Sequence, residues 1–124
     1  MWDAVIWLYL VNSVLLILHE MDSAYWREWQ LFRLPGGIAG FLVLHAPLYA
    51  VALYGLVRVS HGDPAGLWLS LVVALAGLFA FGIHTHCLRR GHPEFGTPAS
   101  RRLLALWLAT SLAQLAASLG QLIW

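Results

Sequence analysis

The chain has 124 residues, of which 60% are hydrophobic and only 10% are charged, and its formal net charge is +1. Soluble domains carry about 25% charged residues, so this chain has too few charges to cover a water-exposed surface. A bilayer is its natural solvent, and membrane lipids are its expected neighbours. The small net charge and the lack of a basic stripe argue against a nucleic-acid partner. The length predicts one domain over residues 1–124.

Four segments are long and apolar enough to cross a membrane, which requires about 20 mostly apolar residues. They cover approximately residues 2–20, 37–59, 66–88 and 101–123. Turn and capping residues separate them, namely Leu34-Pro35-Gly36-Gly37, His61-Gly62-Asp63-Pro64 and Thr97-Pro98. These features predict an all-α fold, a bundle of four transmembrane helices that run up, down, up and down.

The arginines predict the orientation of the bundle. Six of the seven lie at one end, namely Arg27, Arg33, Arg89, Arg90, Arg101 and Arg102. Only Arg58 lies at the other end. Basic residues accumulate on the cytoplasmic side of a membrane. The sequence therefore predicts a multi-pass protein of the cell inner membrane, with both termini on the non-cytoplasmic side.

Most of the other ionisable residues fall at the same end as the arginines. Five of the six histidines and four of the six carboxylates lie there, namely His19, His45, His84, His86, His92, Glu20, Asp22, Glu28 and Glu94. Ionisable groups are costly in hydrocarbon, so a set gathered at one depth predicts a functional site. Imidazole and carboxylate groups are also the ligands of zinc and non-haem iron.

Helical spacing indicates which of these side chains point into the bundle. His19 shares a helical face with Asp22. His45 lies about 12 Å inside the second segment, at a rise of 1.5 Å per residue. Residues two apart on a helix diverge by about 200°, so only one of His84 and His86 can point inward from a helix. His84 is the better candidate, because it continues a stripe of small residues.

These observations predict a membrane-embedded metal site that holds zinc or iron and acts on a lipid-like substrate. The candidate ligands are His19, Asp22, His45, His84, His86 and His92. Glu20 or Glu94 is the candidate proton carrier. We expect His19, His45 and His84 to point into one cavity.

Two other sets of polar residues have a structural interpretation. Arg27 and Glu28 are adjacent in a connection between segments, which predicts an ion pair on the surface. A stripe on the fourth segment, made of Ser111, Gln114, Ser118 and Gln121, predicts hydrogen bonds between helices.

Two alternative functions remain open. His45 and His84 could ligate a b-type haem between helices, which would make the protein an electron carrier. The chain also has almost no mass outside its apolar segments, as expected of an accessory subunit in a larger respiratory or photosynthetic membrane complex. In such a complex His45 and His84 could instead ligate the magnesium of a pigment. The sequence leaves open whether the protein is an enzyme.

A family resemblance rests on residues 19–29 (HEMDSAYWREW), residues 84–95 (HTHCLRRGHPEF) and Leu34-Pro35-Gly36-Gly37. With these stretches the chain resembles a family of small bacterial four-helix membrane proteins classed only as a domain of unknown function. The resemblance covers nearly the whole chain and implies the same fold, but it brings no activity. The sequence lacks HExxH, HxxxH and HxxHH, so it departs from the zincin and membrane fatty-acid hydroxylase patterns.

Overall fold

The computed structural model describes residues 2–124. Its helices are α1 (Trp2–Tyr25), α2 (Glu28–Leu31), α3 (Gly37–Ser60), α4 (Pro64–Arg89) and α5 (Pro98–Ile123). No strand occurs within this range. The predicted all-α four-helix bundle is confirmed, and the one-turn helix α2 is an addition to it.

Helices α1, α3, α4 and α5 are each long and apolar enough to cross a membrane, with lengths of 24 to 26 residues. At 1.5 Å per residue such a helix exceeds the hydrocarbon thickness of about 30 Å. Helix α1 continues to Tyr25, more than one turn past residue 20, where the sequence placed the end of the apolar segment. His19 and Glu20 therefore lie within a regular helix and point in fixed directions.

The order of the helices around the bundle decides which histidines can meet. The order is α1, α3, α4 and α5, and α5 packs back against α1. Helices α1 and α4 also contact each other across the bundle, whereas α3 and α5 do not within residues 2–124. A side chain on α1 can therefore reach one on α4 directly.

Helices α4 and α5 begin with side-chain caps. The carboxylate of Asp63 accepts a hydrogen bond of 2.8 Å from the backbone N–H of Ala65 and one of 2.6 Å from Arg58. These two bonds hold the pKa of Asp63 below its ordinary value. Thr97 accepts a bond of 3.1 Å from the N–H of Ser100, which confirms the predicted cap of the fourth segment.

Gly77 allows α4 and α5 to pack closely. A Cβ atom at this position would collide with the hydroxyl group of Ser111 and lie 3.0 Å from Nε1 of Trp107. The absence of a side chain at Gly77 therefore leaves room for the indole of Trp107 in the interior, where only 1% of the residue is exposed. Small residues serve this purpose in membrane helices generally.

A network of uncharged polar side chains crosses the interior of the bundle. We call it the neutral network, and its fully buried members are Asn12, Ser70, Gln114 and Ser118. Gln114 accepts a hydrogen bond from Asn12 and donates to the hydroxyl and carbonyl of Ser70, at 2.8 and 3.1 Å. The hydroxyls of Ser70 and Ser118 are 2.8 Å apart. The predicted interhelical bonding is confirmed for Gln114 and Ser118, whereas the hydroxyl of Ser111 and the amide oxygen of Gln121 have no hydrogen-bond partner within residues 2–124.

Candidate metal centre

Two buried imidazoles meet where α1 and α4 approach each other. His19 and His84 are 2% and 1% exposed, and their Nε2 atoms are 3.1 Å apart. The hydroxyl of Ser23, one turn after His19, lies 3.4 Å from Nε2 of His19. Neither Nδ1 atom has a hydrogen-bond partner among residues 2–124. Because both residues are buried, their Nε2 atoms meet at a point that water does not reach directly.

Glu28 joins the two imidazoles because of a sharp turn after α1. Arg27 has a left-handed backbone conformation with φ of 52°, and Glu28 begins α2 directly after it. The side chain of Glu28 is 14% exposed, and its Oε1 atom lies 3.3 Å from Nε2 of His84. The predicted surface pair of Arg27 and Glu28 is therefore wrong. The turn folds Glu28 back over the interior and leaves Arg27 outside.

The surroundings of Glu28 favour its ionised form. Burial by itself would raise the pKa of this carboxyl group. The hydrogen bond and charge of His84, the charge of His19 and the hydroxyl of Ser23 outweigh burial and hold the pKa below its ordinary value. Glu28 is therefore a carboxylate at neutral pH, as a metal ligand must be.

A second imidazole–carboxylate pair lies beside the first group. Nε2 of His45 is 2.7 Å from a carboxylate oxygen of Glu20, and these side chains are 13% and 11% exposed. Nδ1 of His45 donates a hydrogen bond of 2.7 Å to the backbone carbonyl of Phe41. The ring of Phe41 stacks on the imidazole, with centroids 3.9 Å apart. Both contacts fix the orientation of His45.

These five side chains form what we call the His–Glu cluster, namely His19, Glu20, Glu28, His45 and His84. Two sets of three could each hold a metal ion: His19, Glu28 and His84 form one, and Glu20, Glu28 and His45 form the other. Within each set the ligand atoms all lie within 4.8 Å of one another. Glu28 belongs to both sets.

Aromatic side chains cover the cluster. Phe95 is 0% exposed, and its ring centroid lies 4.0 Å from that of His84 and 5.6 Å from that of His19. It extends from the loop between α4 and α5, where it has a left-handed conformation with φ of 66°. The ring of Trp107 lies 5.0 Å from that of His19 on another side. These rings exclude water from the two imidazoles, which strengthens electrostatic interactions there.

A cavity of about 400 Å³ extends from the cluster between the helices, and all five cluster residues line it. His19, His45 and His84 thus share one cavity, as expected from their depth in the sequence. A second, apolar cavity of about 420 Å³ adjoins the first, and the two share Leu16, Leu44, Leu48 and Ala76 as walls. The second cavity is also lined by Val51 and Val72, which are 52% and 58% exposed on the apolar face of the bundle.

The remaining predicted site residues lie apart from the two sets of three. Asp22 accepts a hydrogen bond of 3.1 Å from the indole of Trp26. His86 is exposed at the end of α4. His92 is 51% exposed and lies 3.9 Å from Glu94. The ligand roles of these histidines and of Asp22, and the proton-carrier role of Glu94, stay predictions.

Sequence reasoning missed Glu28 and Phe95 as components of the site. Neither lies on the inward face of an apolar segment, because both follow turns with left-handed backbone conformations. The only signal was indirect, since both residues fall within the two stretches on which the family resemblance rests.

The chain belongs to a family of unknown function, DUF6713, whose model matches residues 5–121. This match confirms the resemblance to a family without an assigned activity. No curated protein and no solved structure matches the chain. Its function must therefore be inferred from the chemistry of the cluster.

Proposed function

We propose that this protein is a membrane metalloprotein that binds zinc or iron through His19, His84 and Glu28. The observation that carries the proposal is the convergence of these ligand atoms within 4.8 Å of one another, from three different helices, around two buried imidazoles. Two histidines and one carboxylate form a ligand set known for both zinc and non-haem iron(II).

The distances between the ligand atoms suit a metal ion. With metal–ligand bonds of about 2.0–2.1 Å, two ligands at tetrahedral angles lie about 3.4 Å apart. The distance between the Nε2 atoms of His19 and His84 is 3.1 Å, and that from His84 to Glu28 is 3.3 Å. Shifts of a few tenths of an ångström, roughly, would complete such a geometry.

Hydrogen bonds alone satisfy this arrangement poorly. Nε2 of His84 faces both Nε2 of His19 and an oxygen of Glu28. A single N–H group on His84 can point well at only one of them, and if it points at Glu28 the lone pair of His19 is left with only the long contact of 3.4 Å to the hydroxyl of Ser23. A cation at the point of convergence satisfies all three groups at once.

Three protein ligands leave coordination positions for water or a substrate. A bound metal would polarise the substrate or activate water or dioxygen there. Glu20 is the carboxylate best placed to carry a proton, since it lines the same cavity and contacts His45. The adjoining apolar cavity favours a lipid-like substrate whose hydrocarbon chain lies along α3 and α4.

The metal is tested by elemental analysis of protein purified from membranes, with an absorption spectrum. We expect about one or more zinc or iron ions per chain in the wild type. His84→Ala should lose metal, whereas His86→Ala, two residues along the same helix and exposed, should keep it. Metal-free wild-type protein, or equal metal in both variants, would contradict the proposal. A Soret band would favour the haem alternative at His45 and His84.

The lipid-like substrate is tested separately. Ala76→Phe should obstruct the passage between the two cavities, because Ala76 lines both. We expect less co-purified lipid by native mass spectrometry, with unchanged metal content. Ala46→Phe, on the exposed face of α3, is the matched control. Equal lipid in the two variants would argue against the apolar cavity as the binding site.

A further inference from the structure

The pair of His45 and Glu20 has the features of a second metal position. The two side chains lie beside the first position rather than within it, because His45 comes from α3 and Glu20 projects from a different face of α1 than His19, and both group with Glu28. Glu28 therefore has a set of candidate ligands on each side, and a carboxylate has two oxygens with which to serve them.

The hydrogen bond of His45 supports a ligand role. A backbone carbonyl can only accept, so Nδ1 of His45 must carry the hydrogen that it donates to Phe41 at 2.7 Å. Nε2 faces Glu20 across 2.7 Å, a distance that requires one proton between the two groups, and a metal ion at this position would displace that proton. Histidines that ligate metals almost always donate their second N–H to a carbonyl or carboxylate, which His45 does and which His19 and His84 do not within residues 2–124.

The cluster has donors for two cations. When deprotonated, as metal binding requires, Glu20 and Glu28 supply two negative charges, which offset half of the charge of two divalent ions, and three neutral imidazoles supply lone pairs. In the described part of the chain Glu20 pairs with His45 and Glu28 with His84, and no Arg side chain takes part in these ion pairs. Divalent ions in paired sites lie about 3.5–4 Å apart, a separation that one carboxylate can bridge.

We propose that Glu28 bridges two metal ions, of which the first is held by His19 and His84 and the second by Glu20 and His45. This inference rests on the proposed function, since it adds a position to the same site. It assigns Glu20 as a ligand, which replaces the proton-carrier role whenever the second position is filled.

The test counts metal ions. Metal-free wild-type protein is titrated with Co²⁺ and followed by its visible absorption, and bound metal is measured per chain after gel filtration. We expect saturation at about two equivalents and spin coupling between the two ions in the magnetic resonance spectrum. Glu20→Gln, which preserves the volume of the side chain, should bind about one equivalent and lose the coupling.

Asp3→Asn is the matched control, because Asp3 is an exposed carboxylate at the opposite end of the same helix. It should bind as much Co²⁺ as the wild type. Saturation at one equivalent in the wild type and in Glu20→Gln would overturn the second position and leave the first intact. Failure of the wild type to bind any Co²⁺ would instead reject the metal site as a whole.

Discussion

The interior of this bundle contains two polar regions that differ in how their hydrogen-bonding groups are used. In the neutral network, Gln114 uses both its amide oxygen and its amide nitrogen with partners on α1 and α4. In the His–Glu cluster, the Nδ1 atoms of His19 and His84 lack partners in the described chain, and two Nε2 atoms face each other. The donors and acceptor of the Gln114 amide are all paired with protein groups, whereas the ring nitrogens of His19 and His84 are not.

This difference distinguishes polar side chains that hold helices together from polar side chains that are arranged to bind a ligand. A membrane interior offers no water, so uncharged groups that saturate each other stabilise helix packing and need nothing further. Ionisable groups that leave lone pairs directed at one point are costly unless another species satisfies them. The comparison therefore attributes helix association to the neutral network and supports the proposed metal binding at the cluster.

The sharpest way to break this comparison is Glu28→Gln. This change removes the carboxylate that both metal sets share. Loss of a side chain that only hydrogen-bonds to a metal ligand lowers metal affinity by up to about 100-fold, so loss of this shared ligand should lower it by more. Affinity is measured by competition with a chelator. Arg27→Gln, adjacent but exposed, should change it little. Equal affinities in the two variants would mean that Glu28 is not a ligand.

Acidification should act on the cluster and not on the neutral network. Histidine ligands must be deprotonated, so protons compete with the metal for their ligating nitrogens. The pKa of Glu28 lies below its ordinary value, so this carboxylate stays ionised in mild acid and the histidines decide the pH dependence. Metal affinity should therefore fall on acidification, by up to about tenfold per pH unit for each histidine that takes up a proton. Metal titrations at stepped pH from about 7 to 4 check this, and affinity that is constant over that range would contradict it.

Phe95→Ala tests whether closure against water matters to the cluster. Removal of the ring that covers His19 and His84 should admit water and chelator. Because the apolar surroundings of a metal control solvent access, the metal should dissociate about tenfold faster. The measurement is the rate of metal loss to excess chelator. Trp68→Ala, 63% exposed at the opposite end of α4 and not part of the wall of the cavity, is the control. Unchanged rates would show that Phe95 does not limit access.

Gln114→Ala tests whether the neutral network contributes to stability and not to metal binding. Three hydrogen bonds to Asn12 and Ser70 are lost, at about 0.6 kcal/mol each in membrane proteins, so unfolding should become easier by roughly 2 kcal/mol. Metal content should not change. Reversible unfolding in mixed detergent micelles gives the stability, with Leu112→Ala as an exposed control on the same helix. Loss of metal in Gln114→Ala would erase the distinction between the two regions.

The sequence by itself determined the four apolar helices, the cap at Thr97, the turn that contains Asp63, and the depth at which His19 and His84 lie. These features depend on local chemistry, namely runs of apolar residues, turn residues and spacing along one helix. The same reasoning correctly placed His84 in the interior and assigned Gln114 to contacts between helices.

Only the tertiary structure decided which side chains of the cluster lie next to each other. Helix order brings His19 to His84 across the short diagonal of the bundle, while His45 on α3 meets Glu20 instead. The left-handed residues Arg27 and Phe95 break helical periodicity, so no spacing rule could place Glu28 or the covering ring. Periodicity predicts the face of a helix, whereas the direction of a chain after such a turn depends on packing between helices.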